Sequence, residues 1–133
     1  MRRDALALII QPYKNGLIKQ ERLRDAINAF AGRIVDFTSS FPNIRLNLIL
    51  PGYMLPAIDP LILAELREIQ KRECLEWLTS GFTEPFLSFS PKWLTAANIR
   101  AGIDTFEEFL SVRPTGYAPA FSNWEPTSLE TLC

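Results

Sequence analysis

Short apolar runs alternate with stretches of helical period along the chain, and this alternation restricts the fold more than any other feature. Ala5–Ile10 is too short for a helix and stops at Gln11-Pro12, as a buried strand does. From about Gln20, Leu23, Ile27, Phe30, Ile34 and Phe37 follow at spacings of four, three, four and three, one face of an amphipathic helix that Ser39, Ser40 and Pro42 end. Ile44–Leu50 is a second strand, stopped by Pro51-Gly52. Asp59-Pro60 gives a cap followed by proline at the first helical position, opening a helix through Leu61, Leu63, Leu66 and Ile69 to about Lys71. Cys74–Ser80 is a third strand. Ser90-Pro91 repeats the cap-and-proline signal before a helix carrying Trp93, Ile99, Ile103, Phe106 and Phe109, with Leu110 beside them. Gly116–Phe121 is a fourth strand. The order β-α-β-α-β-α-β predicts an α/β fold with parallel strands. In such folds the loops after the strands carry the site, and here they begin near Gln11, Pro51, Gly81 and Phe121. With no internal repeat or linker, residues 1–133 are expected to form a single domain.

Composition narrows the function more by exclusion than by suggestion. The 47% hydrophobic and 22% charged content is that of an ordinary globular chain able to bury a core. A net charge of −1 gives no footprint for nucleic acid or an anionic membrane, and neither is an expected partner. Arg67, Lys71 and Arg72 are expected to form one solvated helix face. The chain has no histidine, which excludes His-based triads, His-ligated zinc and His general bases within it. No metal and no cofactor is implied. The two cysteines, Cys74 and Cys133, are too few for a disulfide framework, so a reducing, cytoplasmic setting is expected, with Cys74 an inert buried thiol. The apolar run behind Arg2 and Arg3 is too short for a signal peptide.

Candidate chemistry sits at or near the strand ends. Gln11 ends the first strand, Glu76 lies on the third, Glu84-Pro85 follows it, and Trp124-Glu125-Pro126 follows the fourth. Carboxylates bond sugar hydroxyls or do acid–base work, and aromatic faces stack on pyranose rings. The bland readings stand beside these. A strand glutamate is more often exposed or paired than catalytic, a tryptophan more often core than platform, and a glutamate before proline often just ends an element. Gly81-Phe82-Thr83 lacks the spacing of a nucleotide-binding loop, and no serine sits in a nucleophile elbow.

Phe41 to Leu55, FPNIRLNLILPGYML, resembles a phrase of glycoside hydrolase family 57, FPxxxxNxxxSGxLL, matching at Phe41, Pro42, Asn47, Gly52 and Leu55. The stretch LILAELREIQKRECLEWLTSGFTEPFLSFSP resembles the family's second conserved region. Glu76 stands at its strand glutamate, and Gly81, Phe82, Glu84 and Pro85 match a Gly-Phe-Tyr-Glu-Pro phrase, with Thr83 for the tyrosine. RPTGYAPAFSNWEP resembles the third region, which ends in Trp-x-Pro. The resemblance spans roughly residues 5 to 131. It implies a partial (β/α) barrel of the seven-stranded family 57 type, here about four parallel strands alternating with helices. It also implies kinship with α-glucan-processing enzymes, namely α-amylases, 4-α-glucanotransferases and branching enzymes. Those act by a retaining mechanism that needs two carboxylates.

The departures from the pattern bear on activity. The family's His-Gln-Pro is Ile10-Gln11-Pro12 here, and counting back from Trp124 places Phe121 where the nucleophilic glutamate belongs. A phenylalanine cannot attack an anomeric carbon. A four-residue slip would make Glu125 the nucleophile, but the Trp-x-Pro phrase already places that residue. The family takes its acid/base aspartate from further along the barrel. The chain is therefore expected to assign no catalytic residue and to act as a pseudoenzyme. It would keep Gln11, Glu76, Glu84 and Trp124 as a substrate-binding set for an α-glucan or oligosaccharide. Two alternatives stay open: a fragment or subunit of an active α-glucan hydrolase or transferase, or a protein-interaction module on the same scaffold. Four parallel strands leave an open sheet edge, so a homo-oligomer or a partner chain is expected to cover it.

Overall fold

The computed structural model describes residues 7–10, 20–85 and 89–119, with backbone alone for 7–10, 20 and 21. Strand β1 is Ala7–Ile10, helix α1 Gln20–Ser40, β2 Arg45–Leu50, α2 Pro60–Gln70, β3 Leu75–Thr79, α3 Lys92–Leu110 and β4 Gly116–Tyr117. The strands form one sheet in sequential order, each neighbour parallel. Leu46 pairs with Leu75, Leu48 with Trp77 and Leu50 with Thr79.

Period-two alternation sends these strand residues to one face, where they meet the helices. Leu46, Leu48, Leu50, Leu75 and Trp77 join Ile27, Ala31 and Ile34 of α1, Leu63, Leu66 and Ile69 of α2, and Phe106 and Leu110 of α3 in a single core cluster. Phe106 is fully buried, its ring meeting Trp77 edge-on with centroids 5.7 Å apart. All three helices thus cover the same face of the sheet, the winding of a barrel; a doubly wound sheet would carry helices on both faces. The other face carries Asn47, Ile49, Glu76 and Leu78.

The helix starts follow the sequence closely at α2 and less so at α3. Asp59 caps α2, its carboxylate accepting the Leu61 N–H at 2.8 Å, with Pro60 at the first helical position. At α3 the cap is Pro91 itself, in extended backbone, whose carbonyl accepts the N–H groups of Leu94 and Thr95. The Ser90-cap expectation is therefore displaced by one residue. Ser111, with φ 55°, ends α3 in the left-handed region, and its N–H donates to Glu107 O at 3.1 Å.

Three expectations from apolar and charge pattern do not hold. Leu61 is 77% exposed and Trp93 72% exposed. Each stands in the first turn of its helix, and at about 100° per residue Trp93 lies about 180° from Gly102, which packs against the β3–α3 turn. Arg67 does not share a solvated face with Lys71 and Arg72: its Nε and Nη2 donate to Phe109 O at 3.0 and 2.5 Å, satisfying a carbonyl at the end of α3. Lys71 is on the surface, paired with Glu68. Cys74 is buried and free, its thiol 3.4 Å from the carbonyls of Pro42 and Arg72.

A 3-10 helix over Gly52–Ala57, unanticipated behind Pro51-Gly52, buries Met54 and Leu55 under the β2–α2 connection. Asn28 ties it to α1. The Asn28 amide donates to Ala57 O at 3.0 Å, and its Oδ1 accepts the Asp59 N–H at 2.6 Å. No helix among the described residues is long and apolar enough to cross a membrane.

Candidate functional site

Two polar groups stand out, one on the sheet face opposite α1, α2 and α3 and one at the carboxyl end of the sheet. The first is a row across that face. Asn47 of β2 and Glu76 of β3 are register partners, so their side chains share that face. Thr115, just before β4, extends the row: its N–H donates to Trp77 O at 3.0 Å, and its hydroxyl donates to Glu76 Oε1 at 2.9 Å. Glu76 is exposed. A carboxylate, an amide and a hydroxyl side by side offer the donors and acceptors that sugar hydroxyls need. Thr115 carried no sequence signal, because its place beside Glu76 depends on the pairing of β4 with β3.

The second group lies on the loops beyond β2 and β3. Gly52 N–H donates to Gly81 O at 2.8 Å and Tyr53 N–H to Phe82 O at 2.9 Å, which zips the two loops together. Gly81 has φ +95°, a conformation open to glycine. Its N–H donates to Thr79 Oγ1 at 3.0 Å. Thr83 N–H and Oγ1–H both donate to Asn98 Oδ1 at 2.9 Å, and Asn98 Nδ2 donates back to Thr83 O at 3.2 Å. Glu84 follows this turn, half-buried. Burial and, after it, the Glu84 carboxylate hold the Tyr53 phenol above the usual tyrosine range, so Tyr53 is a neutral donor near an anionic acceptor. Sequence reasoning singled out Glu84 but missed Tyr53, which loop pairing brings near it, and Asn98, which α3 brings to the preceding Thr83.

Glu76 and Glu84 are not neighbours. Glu76 is the second residue of β3, roughly 10 Å of strand below Thr79, whereas Glu84 lies past the carboxyl end. Gln11, Phe121, Trp124 and Glu125 lie outside the described residues. Ser80, between the two groups in sequence, is fully buried, and its hydroxyl has no hydrogen-bond partner among the described residues. A groove of about 340 Å³ lined by Val35, Ser39, Ala64, Glu65, Glu68, Ile69 and Arg72 sits between α1 and α2, away from both polar groups.

The family model described as glycosyl hydrolase family 57 matches residues 5–133. Among solved structures the chain is similar to the 4-alpha-glucanotransferase from Thermococcus litoralis, with TM-score 0.78 and 25% identity, over 95% of this chain and 20% of that one. It is also similar to the peptidoglycan deacetylase PdaC from Bacillus subtilis, with TM-score 0.58 and 12% identity, over 96% of this chain and 54% of that one, a likeness of fold alone. Comparison with the curated proteins gives no match. The chain spans about one fifth of the length of the glucanotransferase it matches, and its sequential parallel sheet is that of a partial (β/α) barrel. Matched over nearly its whole length, the chain belongs to glycosyl hydrolase family 57.

Proposed function

We propose that the chain is a family 57 scaffold that binds an α-glucan or oligosaccharide without cleaving it by itself. The observation that carries this reading is the Asn47–Glu76–Thr115 row on the sheet face opposite the helices. That sheet resembles part of a 4-alpha-glucanotransferase. In this reading Glu76 accepts from sugar hydroxyls and Asn47 adds a donor and an acceptor, while Gln11, Glu84 and Trp124 complete the binding set. Family resemblance supports the non-catalytic part, since it puts Phe121 at the nucleophile position. A cytoplasmic setting, consistent with the sparse cysteines, belongs to the same proposal.

A second reading has an observation of its own. Among the described residues β1 pairs only with β2, and β4 only with β3, so both outer strands offer backbone groups for further pairing. With a match to 20% of the glucanotransferase chain, this favours a role as a piece or subunit of a larger α-glucan enzyme, its sheet edges covered by further barrel strands or a second chain.

Saturation-transfer NMR with maltoheptaose, followed for about a day in one tube, separates these readings. Transfer to the sugar without new products supports the binding scaffold. Shorter or longer products mean that this chain catalyses and that Phe121 was misplaced. No transfer at millimolar sugar removes the binding function and leaves the subunit reading, which analytical ultracentrifugation then tests through the oligomeric state.

A further inference from the structure

Asn98 is an unusual residue to find in the body of a helix. It is the seventh residue of α3, where asparagine gains little, because its side chain competes with the helix backbone. Here its amide turns outward to the β3–α3 turn and takes part in three hydrogen bonds with Thr83: Oδ1 accepts from the N–H and the hydroxyl, and Nδ2 donates to the carbonyl. Its own backbone carbonyl accepts the Phe82 N–H at 2.8 Å. A Cβ on Gly81 would meet this same amide and push the Asn98 side chain off the turn. The turn is held from its other side by Gly52 and Tyr53. All of this constrains the three residues immediately before Glu84.

We propose that Asn98 is a positioning residue: it locks the Gly81–Thr83 turn and so fixes where the Glu84 carboxylate stands as an acceptor for a sugar hydroxyl. The role in sugar binding rests on the function proposed above. The fixing of the carboxylate does not, and it has its own readout. A held acceptor binds better than a mobile one, because the ordering cost is met on folding. Burial first and the Glu84 carboxylate after it push the Tyr53 phenol up, so the part of that shift that Glu84 supplies reports how near the carboxylate stands.

The test uses the whole chain labelled with carbon-13 at the tyrosine Cζ, with Tyr53→Phe to assign the resonance. Glu84→Gln is expected to lower the Tyr53 titration midpoint. Asn98→Ala is expected to lower it as well, and in the Asn98→Ala background Glu84→Gln moves it no further. For maltoheptaose, each single substitution is expected to weaken binding about tenfold, the loss of one well-placed hydrogen bond, and the double variant no more than either alone. An unmoved Tyr53 titration in Asn98→Ala, or losses that add in the double variant, overturns the proposal. If the unsubstituted chain binds no maltoheptaose, the functional reading falls, whereas the Tyr53 titration still decides whether Asn98 fixes Glu84. Should Asn98→Ala not fold, Asn98→Ser, which keeps a shorter hydrogen-bonding side chain, carries the same comparison.

Discussion

Replacing Gly102 by alanine reverses the sign that an isolated helix would give. Within a helix, Gly→Ala ordinarily stabilises by about 1 kcal/mol through lower unfolded-state entropy. Gly32 of α1 meets that condition: a Cβ there has nothing within 4 Å. At Gly102 of α3, a Cβ would stand 2.5 Å from the Gly81 carbonyl carbon and 2.8 Å from its Cα and O. Those are backbone atoms, fixed by the Gly52–Gly81 and Phe82–Asn98 hydrogen bonds, so no rotamer change relieves the contact. Overpacking of this kind costs about 1–3 kcal/mol, and the rigid obstacle argues for the upper end. After the helix gain of about 1 kcal/mol, Gly102→Ala is expected to destabilise by about 2 kcal/mol. In urea unfolding with a slope of about 2 kcal/mol per M, its midpoint falls by about 1 M while that of Gly32→Ala rises by about 0.5 M. A Gly102→Ala midpoint at or above that of the parent chain refutes the close approach of α3 to the β3–α3 turn.

Other substitutions test separate parts of the structure. Burial pushes the Tyr117 hydroxyl up to about 12, and it has no hydrogen-bond partner among the described residues. Its stabilising preference for the protonated form is full below the unfolded value near 10 and is lost as pH rises from there through 12, because the unfolded chain releases its proton first. Tyr117→Phe should flatten that fall in a pH series of urea melts and add about 1 kcal/mol at neutral pH by removing an unmet polar group. Phe106→Ala, at a fully buried position against Trp77, should cost about 3–5 kcal/mol in the same melts. Arg67→Met removes both donors to Phe109 O. It should cost about 1 kcal/mol and speed amide exchange at the end of α3, whereas unchanged exchange there means the guanidinium is not its cap. Ser111→Gly should stabilise by about 1 kcal/mol, since a side chain at φ 55° is strained and glycine is not.

Sequence alone determined the order of the strands and long helices and most of the core that α1 and α2 bury. Ile27, Ile34, Leu63, Leu66, Ile69, Phe106 and Leu110 all lie in the core their spacing predicted, because hydrophobic period and the Asp59-Pro60 cap are local properties that the chain carries wherever it folds. The same reasoning put Glu76 and Glu84 on and after one strand, and the conserved-looking phrases around Asn47 and Gly81 pointed to the family that the whole-chain match shows. Only the tertiary structure decided which apolar residues were left outside, as with Leu61 and Trp93, and that Arg67 serves a carbonyl of another helix. It alone set Thr115 beside Glu76 and brought Asn98 and Tyr53 to the Glu84 turn. These contacts join residues 15 to 42 positions apart in sequence. Their partners are fixed by strand register and by how closely Gly52, Gly81 and Gly102 let backbones approach, and neither leaves a periodic trace in the order of residues.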